Sequence, residues 1–262
     1  MEERNSMKDS QVMIIGRNMV HDAIKSNKTI QTIFIGKNSR TDPRIQEILK
    51  LAYQKNIEIS FVAPEKIRAM SGSDDTQNVI AYMQKYEGVS LREVIQAKID
   101  SGKDPLIMLF NHMDYEQNLG AIIRSAWGAE VDAVVLSPTG VHEVTPIVAK
   151  VSQGGAAYVP VFSLSLFQAI DIIKDFGIPV VGVEVGMGKP YDEITLLGPV
   201  AFLFGGEVAG ISKPLEKHCD IFIHIPINNE LASLNVSVAT ALIIYEKRRQ
   251  ERAAKKLREN PQ

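Results

Sequence analysis

The sequence predicts a protein of two α/β domains, a small one followed by a larger one built on a parallel sheet. The chain has 262 residues, 45% of them apolar, which suits one large domain or two modest ones. Short apolar runs alternate with helical patterns, and a stretch containing Gly102 and Pro105 interrupts them. Because alternating strands and helices build α/β folds, this is the class we expect.

The first domain is expected over residues 10–86. The runs "TIFIG" and "IEISFV" are short, rich in β-forming residues and bounded by turn residues. Between them, apolar residues recur at the spacing of one helix face; they are Ile45, Ile48, Leu49 and Ala52. The stretch "EGVSLREVIQAKIDSGKDP" then predicts a linker or bridging helix over residues 87–103.

The larger domain is expected over residues 104–262. Its strands are predicted from apolar runs typical of strands covered on both faces: "PLIMLF", "DAVVLS", "AAYVPVF", "IPVVGVEV", "VAFLFGG" and "IFIHIP". The helical patterns between them lie at Leu119–Ala129, Thr145–Ser152, Leu166–Phe176 and Lys213–His218, with a terminal helix from near Leu234. Buried strands that alternate with helices predict a parallel sheet with helices on both sides.

Composition limits the classes of function. No window approaches the ~18 consecutive apolar residues of a membrane span, and no apolar run follows the charged start "MEERNSMKDSQ". We therefore expect a soluble, unexported protein that does not bind a membrane. The only cysteine, Cys219, cannot form an internal disulfide, so a reducing cytoplasm fits best, and no metal site is expected.

The net charge of −2 conceals an uneven distribution along the chain. Residues 10–90 carry 11 Lys and Arg against 8 Asp and Glu, residues 104–245 carry 6 against 15, and residues 246–262 carry 7 against 3. An acidic core thus lies between two basic segments. Charged solvated helices explain the basic tail about as well as nucleic acid does, so this pattern alone is weak support for phosphate binding.

Familiar phosphate and hydrolase motifs are absent from the sequence. "GVEVGMGKP" contains a Gly-Lys pair, but a P-loop needs glycine where this chain has Val183, and Ser or Thr where it has Pro190. Neither GxGxxG nor GxSxG occurs. We therefore do not expect a Rossmann nucleotide site or a serine hydrolase triad.

Three polar clusters remain, each just after a predicted buried strand, where open α/β sheets bind ligands. The first, "QNLGAIIRSA", has Asn118 as the candidate cap of the helix that follows and Arg124 nearly two turns on. In "FLFGGEVAGIS", glycines permit close approach to a ligand and Glu207 supplies a carboxylate. In "HIPINNELASLNVSVATALIIYE", the first helical turn exposes Ser233 and Asn235. Taken singly, capping and solvation explain each cluster without a ligand.

Together the clusters resemble the SpoU (TrmH-like) family of RNA 2′-O-ribose methyltransferases, in the ribosomal-RNA branch of the SPOUT α/β-knot superfamily. The motifs that carry the resemblance are "NLGAIIRSA", "FGGEVAGIS" and "IPI…SLNVSVATALIIYE", the third being the most specific, and they cover about residues 104–250. Upstream, "VMIIGRNMVHDAI" and "QNVIAY" are similar to the small RNA-binding domain that precedes the catalytic domain in that branch.

This resemblance implies a deep trefoil knot in the larger α/β domain, with S-adenosylmethionine bound in it. By family position, Gly205, Ile225 and Leu234 are expected to line the cofactor site, largely through backbone groups. The resemblance also implies a homodimer, with the terminal helices in the interface and each active site completed across it.

The implied reaction is methyl transfer to a ribose 2′-hydroxyl of RNA, with Asn118, Arg124, Glu207, Ser233 and Asn235 as the catalytic residues. Family proposals make the arginine at the position of Arg124 the base. Because a guanidinium has a pKa above ~12, we instead expect Arg124 to bind the adjacent phosphate and stabilise the developing alkoxide. Ser233 and Asn235 are expected to fix the target nucleotide, and Asn118 and Glu207 to hold Arg124.

The chain departs from the family pattern at two places. The usual Asp-Pro-x-Asn reads "YEQN" over Tyr115–Asn118, which keeps the asparagine. The His-Gln-Gly element of the amino-terminal domain keeps Gln77 but has Thr76 and Asn78 beside it. These departures affect the prediction of the substrate more than the prediction of the reaction.

The leading prediction is methylation of 23S ribosomal RNA, either free or in an assembling large subunit. The two-domain layout favours rRNA over tRNA, and a methyltransferase that confers antibiotic resistance has a similar layout. Two alternatives come from other classes: a catalytically silent RNA-binding or ribosome-assembly factor, and a small-molecule α/β enzyme. Matching residues at all five catalytic positions favour the enzyme over the silent factor.

Overall fold

The computed structural model describes residues 11–25, 29–72, 76–84, 89–206 and 210–259. The chain divides into an amino-terminal and a carboxy-terminal unit, and a segment from the second half of the sequence belongs to the amino-terminal one. The units are Met1–Gly88 with Val144–Tyr158, and Val89–Glu143 with Val159–Gln262. The domain boundaries 10–86, 87–103 and 104–262 stay a prediction.

Helices and strands alternate along the described chain. The helices are α1 (Arg17–Lys25), α2 (Pro43–Gln54), α3 (Pro64–Ser71), α4 (Leu91–Asp100), α5 (Glu116–Gly128), α6 (Pro146–Val151), α7 (Leu166–Asp175), α8 (Lys213–Glu216) and α9 (Val236–Glu259). The strands are β1 (Gln11–Ile15), β2 (Ile30–Gly36), β3 (Glu58–Val62), β4 (Val79–Gln84), β5 (Leu106–Phe110), β6 (Ala133–Leu136), β7 (Val161–Ser163), β8 (Val180–Val183), β9 (Lys189–Pro190), β10 (Val200–Phe204) and β11 (Ile221–His224).

The amino-terminal unit contains a four-stranded mixed sheet in the order β1-β4-β2-β3. Strand β4 pairs antiparallel with β1 and β2, and β2 pairs parallel with β3. Helix α2 starts after Asp42, whose carboxylate accepts hydrogen bonds from two backbone N–H groups of the first turn, and Pro43 takes the first helical position. Ile45, Ile48 and Ala52 of this helix are fully buried, which confirms the predicted helical face.

The segment Val144–Tyr158 contributes to the core of the amino-terminal unit. Helix α6 packs against β1, and Ala157 is fully buried in the same apolar cluster as Ile14 and Val20. Gly154 has a φ of +90°, and a Cβ there would lie 1.7 Å from the terminal methyl of Met19. Glycine is therefore required where this segment meets α1.

The carboxy-terminal unit is built on a seven-stranded sheet in the order β7-β6-β5-β10-β8-β11-β9. Every strand pair is parallel. The central strands β5 and β10 are buried along their whole length, as a sheet covered on both faces requires. Helix α4, in the stretch expected as a linker or bridging helix, contributes Leu91 and Ile95 to the core. The predicted mixed α/β class with a parallel sheet is confirmed.

Three sequence expectations about local structure are wrong in detail. The first half of "AAYVPVF" is not a strand, because Gly155–Ala157 form a 3-10 turn and β7 is confined to Val161–Ser163. Helix α5 starts at Glu116 rather than Leu119, so Asn118 lies inside its first turn and does not cap it. Likewise, α9 starts at Val236 instead of Leu234.

Lys247 and Arg248 make structural contacts, although they belong to the basic tail at 246–262 for which nucleic-acid binding was one explanation. Lys247 is fully buried, and its Nζ donates to the carbonyls of Leu196 (3.1 Å) and Gly198 (2.7 Å) and to Oε1 of Glu251 (2.7 Å). Arg248 donates to the carbonyl of Ala129 at 2.6 Å, close to the end of α5. Through these hydrogen bonds, Lys247 and Arg248 fix the loop at Leu196–Gly198 and the end of α5 against α9.

Helix α9 also lowers the pKa of one of its carboxyls. Burial alone would raise the pKa of Glu251, but hydrogen bonds from Lys247 and Arg248 outweigh that effect and hold it below the usual glutamate value. In the part of the chain that the structure describes, no helix is long and apolar enough to cross a bilayer. The same residues contain no group of three or more His, Cys, Asp or Glu arranged to hold a metal ion.

Candidate active site

A pocket of about 270 Å³ opens at the carboxyl ends of β8 and β10 in the carboxy-terminal unit. Its walls come from the residues after these strands, the loop after β11 and the start of α9. The lining residues are Val183, Glu184, Val185, Phe204, Gly205, Gly206, Gly210, Ile225, Ile227, Ala232, Ser233, Leu234, Val236 and Ala239. All three residues predicted to line a cofactor site, Gly205, Ile225 and Leu234, are among them.

Glycines form one wall of this pocket because the backbone folds tightly against itself there. Gly206 and Gly210 form an antiparallel bridge, with reciprocal N–H···O=C bonds of 3.1 and 3.0 Å. A Cβ on Gly205 would lie 2.4 Å from the carbonyl carbon of Gly210, a distance that side chains do not tolerate. A ligand in the pocket therefore faces backbone at this wall.

Glu184 is a pocket residue that the sequence reasoning missed. Its Oε2 accepts a hydrogen bond from the backbone N–H of Ile211 at 2.8 Å, which ties the end of β8 to the glycine wall. Gly210 has a φ of +61°, and a Cβ there would lie 2.7 Å from the same carboxylate oxygen. The signal was hidden, because Glu184 lies inside the apolar run "IPVVGVEV" that predicts the strand, whereas the observed β8 ends one residue before it at Val183.

Asn235 joins the start of α9 to the start of α5. Its Oδ1 accepts hydrogen bonds from the backbone N–H of Ser237 (2.9 Å) and from the Ser237 hydroxyl (2.6 Å), so it caps α9. Its Nδ2 donates to Oδ1 of Asn118 at 3.1 Å. Ser233 lies two residues earlier, exposed at the rim of the pocket. One amide thus caps a helix and also holds a predicted catalytic residue.

Arg124 is not joined to this pair. Its side chain is exposed on α5 and makes no hydrogen bond or ion pair with any residue that the structure describes. Asn118 accepts a hydrogen bond from Asn235, and the expectation that Asn118 holds Arg124 stays a prediction. Glu207, the fifth predicted catalytic residue, lies outside the described residues.

The amino-terminal unit has a polar cleft of about 310 Å³. Its lining residues with polar side chains are Asn18, Gln77, Lys150 and Gln153, the last two from the segment Val144–Tyr158. Lys150 is exposed and makes no ion pair with the described residues.

The turn before β4, at the edge of this cleft, accounts for one departure from the family pattern. Gln77 and Asn78 have φ values of 48° and 57°, in the left-handed region. Asn78 stands where the family has glycine, and asparagine tolerates that conformation better than most residues. The backbone N–H of Asn78 donates to the hydroxyl of buried Thr76 at 3.2 Å, which stabilises the turn.

Comparisons with known proteins agree with this geometry. Residues 105–245 match the SpoU rRNA Methylase family, and residues 13–89 match the domain described as RNA 2′-O ribose methyltransferase substrate binding. A protein of Staphylococcus saprophyticus named as a TrmH family tRNA/rRNA methyltransferase is 32% identical over 237 residues, which cover 90% of this chain and 94% of the relative.

Solved structures share the fold over nearly the whole chain. An RNA 2′-O ribose methyltransferase is 25% identical, with a TM-score of 0.73 over 95% of this chain and 92% of the other. An rRNA methyltransferase from Sinorhizobium meliloti, solved with S-adenosylmethionine bound, is 21% identical, with a TM-score of 0.76 over 94% of this chain and 90% of the other. The family match spans more than half of the chain, and its motifs lie around the pocket just described. The chain therefore belongs to the SpoU rRNA methylase family.

Proposed function

We propose that the protein transfers the methyl group of S-adenosylmethionine to a ribose 2′-hydroxyl of RNA, with 23S ribosomal RNA as the substrate. The observation that carries the proposal is the arrangement around the start of α9. Leu234 lines the pocket, and the next residue, Asn235, holds Asn118 through a 3.1 Å hydrogen bond. A cofactor-sized pocket and polar groups suited to a nucleotide thus adjoin in one unit.

The chemistry of the pocket fits S-adenosylmethionine. Side chains such as Ile225 and Leu234 suit the faces of an adenine ring, while the Glu184 carboxylate suits hydroxyl or amino groups of the ligand. The wall at Gly205 lets a ligand approach backbone hydrogen-bonding groups that a Cβ would cover. When bound, the cofactor supplies an electrophilic methyl group on a sulfonium.

The protein's own residues position the acceptor. The Arg124 guanidinium has no partner among the described residues, so it is available for an RNA phosphate and for the oxygen that becomes negative during transfer. Ser233 and Asn235 fix the nucleotide beside the pocket, and Asn118 keeps α5 and α9 in register through its bond to Asn235. Positioning of this kind supplies much of the acceleration in displacement reactions.

We further propose that the protein works as a homodimer through α9 and α5. Val238, Leu242 and Tyr245 lie at i, i+4 and i+7 on α9 and are 48%, 39% and 45% exposed, and Trp127 on α5 is 37% exposed. Exposed apolar side chains on one helix face are typical of a protein interface. An interface here would also bring a second chain near Arg124, which has no hydrogen-bond or ion-pair partner among the residues that the structure describes.

RNA contact by the amino-terminal unit is part of the same proposal. The polar cleft with Lys150 and Gln153 offers a cation and amide groups suited to phosphate and ribose, and residues 13–89 of the same unit match a substrate-binding domain. An RNA substrate of this kind places the protein in the cytoplasm.

The deciding experiment is fragment mass spectrometry of total RNA from a deletion strain and from the complemented strain. We expect one 2′-O-methyl nucleotide to disappear from 23S rRNA in the deletion strain and to return on complementation. Loss of a 2′-O-methyl nucleotide from tRNA would instead identify tRNA as the substrate. Loss of a base methylation would refute the assignment of the ribose as the methylated group. Calorimetry with S-adenosylmethionine is the complementary test, because a catalytically silent RNA-binding factor would show no binding even at millimolar concentration.

A further inference from the structure

The peptide group between Gly210 and Ile211 is bound by side chains from two other segments of the chain. Nδ2 of Asn111 donates to the carbonyl oxygen of Gly210 at 3.2 Å, and Oε2 of Glu184 accepts from the N–H of Ile211 at 2.8 Å. Asn111 directly follows β5, and Glu184 directly follows β8. Because these strands flank β10 in the sheet, one peptide group is held from the strands on both sides of β10.

This peptide group packs against Gly205 in the wall of the pocket. A Cβ on Gly205 would lie 2.4 Å from the carbonyl carbon of Gly210 and 2.6 Å from the nitrogen of Ile211. The carbonyl oxygen of Gly210 also accepts from the N–H of Gly206 at 3.1 Å, so both of its lone pairs are used. The Ile211 side chain is buried in the core of the unit. Hydrogen bonds and packing together thus fix the orientation of the peptide.

We propose that Asn111 and Glu184 are positioning residues of the cofactor site. By holding the Gly210–Ile211 peptide against Gly205, they keep the backbone wall in the shape that accepts S-adenosylmethionine. This role rests on the proposed function, because it takes that cofactor as the ligand of the pocket. Glu184 itself lines the pocket, whereas Asn111 does not, so an effect of Asn111 on the cofactor has to pass through the backbone.

The two hydrogen bonds differ in the chemistry that they require. The carbonyl oxygen of Gly210 needs a donor, which the carboxamide of Asn111 supplies and a carboxylate cannot. The N–H of Ile211 needs an acceptor, which a carboxylate and a carboxamide both supply. Asn111→Asp should therefore break its bond although the side chain keeps its size, whereas Glu184→Gln should preserve its bond.

The test measures S-adenosylmethionine binding by calorimetry on the full-length protein, with the wild type first. We expect Asn111→Asp to weaken binding about 5- to 20-fold, because a carboxylate facing the carbonyl displaces the peptide and with it the wall. The matched control is Asn56→Asp, the same substitution at an exposed position of the amino-terminal unit. It adds the same charge and should bind the cofactor as the wild type does.

The substitutions at Glu184 test the other side of the peptide. Glu184→Gln should stay within about 3-fold of the wild-type cofactor affinity, and Glu184→Ala should lose affinity to a similar degree as Asn111→Asp. Thermal unfolding of each variant is recorded beforehand. If Asn111→Asp does not fold, Asn111→Ala and the comparison of Glu184→Gln with Glu184→Ala decide the question.

A double-mutant cycle distinguishes a shared peptide from two separate contacts. If both side chains act through the Gly210–Ile211 peptide, Asn111→Ala with Glu184→Ala should weaken binding less than the product of the two single effects. In turnover assays the KM for S-adenosylmethionine should rise in Asn111→Ala, with kcat at saturating cofactor within about 3-fold of wild type. RNA affinity in filter binding should not change.

Four results overturn the inference. Wild-type cofactor affinity in Asn111→Asp shows that the donated hydrogen bond does not hold the wall. Single effects that multiply fully in the double variant show that the two side chains act separately. An equal fall in RNA affinity shows a general loss of structure. If the wild-type protein does not bind S-adenosylmethionine, the proposed function fails and this role with it, and the first titration separates that case from the others.

Discussion

The pocket of the carboxy-terminal unit and the cleft of the amino-terminal unit differ in the groups that line them. Two of the fourteen pocket residues, Glu184 and Ser233, have polar side chains, whereas four of the nine residues lining the cleft do. The pocket presents backbone, because glycines replace side chains along one wall. The cleft presents amides and one ammonium group.

This difference indicates two kinds of recognition in one chain. A backbone wall with apolar neighbours selects a ligand by shape, so a single added carbon there should greatly weaken binding. Polar side chains at an open cleft contribute separately and are screened by salt, so single changes there should have graded effects. Substitutions in the two regions can therefore be compared directly.

The largest effect is expected from Arg124→Ala, which tests whether a residue of α5 beside the pocket contributes to turnover without contributing to cofactor binding. We expect kcat to fall by about 10²- to 10³-fold, because a charged donor aimed at the developing negative oxygen is lost. Cofactor affinity should stay unchanged in calorimetry, since Arg124 does not line the pocket. Arg68→Ala, which removes an exposed arginine of α3, is the matched control, and loss of cofactor binding in Arg124→Ala would contradict the separation.

Gly205→Ala tests recognition by backbone. The new Cβ would lie 2.4 Å from the carbonyl carbon of Gly210, so the glycine wall must move. We expect affinity for S-adenosylmethionine to fall by at least about 50-fold while RNA binding is retained. The control is Gly177→Ala, where a Cβ meets nothing within 4 Å but takes a φ of +68°, so it adds backbone strain without a clash. Normal cofactor affinity in Gly205→Ala would refute the close-approach argument.

Lys150→Ala tests the graded behaviour of the cleft. Removal of one phosphate contact should weaken RNA binding about 3- to 10-fold and reduce the slope of log K against log salt by about 0.7–0.9. Cofactor affinity should not change. Lys103→Ala removes an exposed lysine at another place and should leave the slope unchanged. Equal effects of the two substitutions would show that only overall charge matters.

The smallest effect is expected from Glu251→Gln, which leaves the pocket and the cleft intact and tests the ion pairs that Lys247 and Arg248 of α9 make with this carboxylate. The lowered pKa of Glu251 stabilises the fold above its ordinary value of 4.5, and this contribution is lost as pH falls through the folded-state value. The variant should therefore be less stable than wild type at pH 7, by about 1 kcal/mol, and the two should converge in acid denaturation. Glu259→Gln, in an exposed pair with Lys255, should show no difference.

Much of the site was predictable because its signals are local. Strands β5, β8 and β10 read as apolar runs, and the resemblance to the family gave Gly205, Ile225 and Leu234, all of which line the pocket. Glu184 lies near the end of such an apolar run, but its sequence neighbours match none of the three motifs.

The sequence by itself determined the α/β class, the order of the strands along the chain and the family, because periodicity and motifs are properties of neighbouring residues. Tertiary structure decided which distant groups meet. Asn118 and Asn235, which are 117 residues apart in the sequence, form a hydrogen bond. Lys247 is buried and donates to two backbone carbonyls, and the segment Val144–Tyr158 belongs to the amino-terminal unit. Hydrogen bonds of this kind depend on how elements pack, and no spacing in the chain encodes that packing.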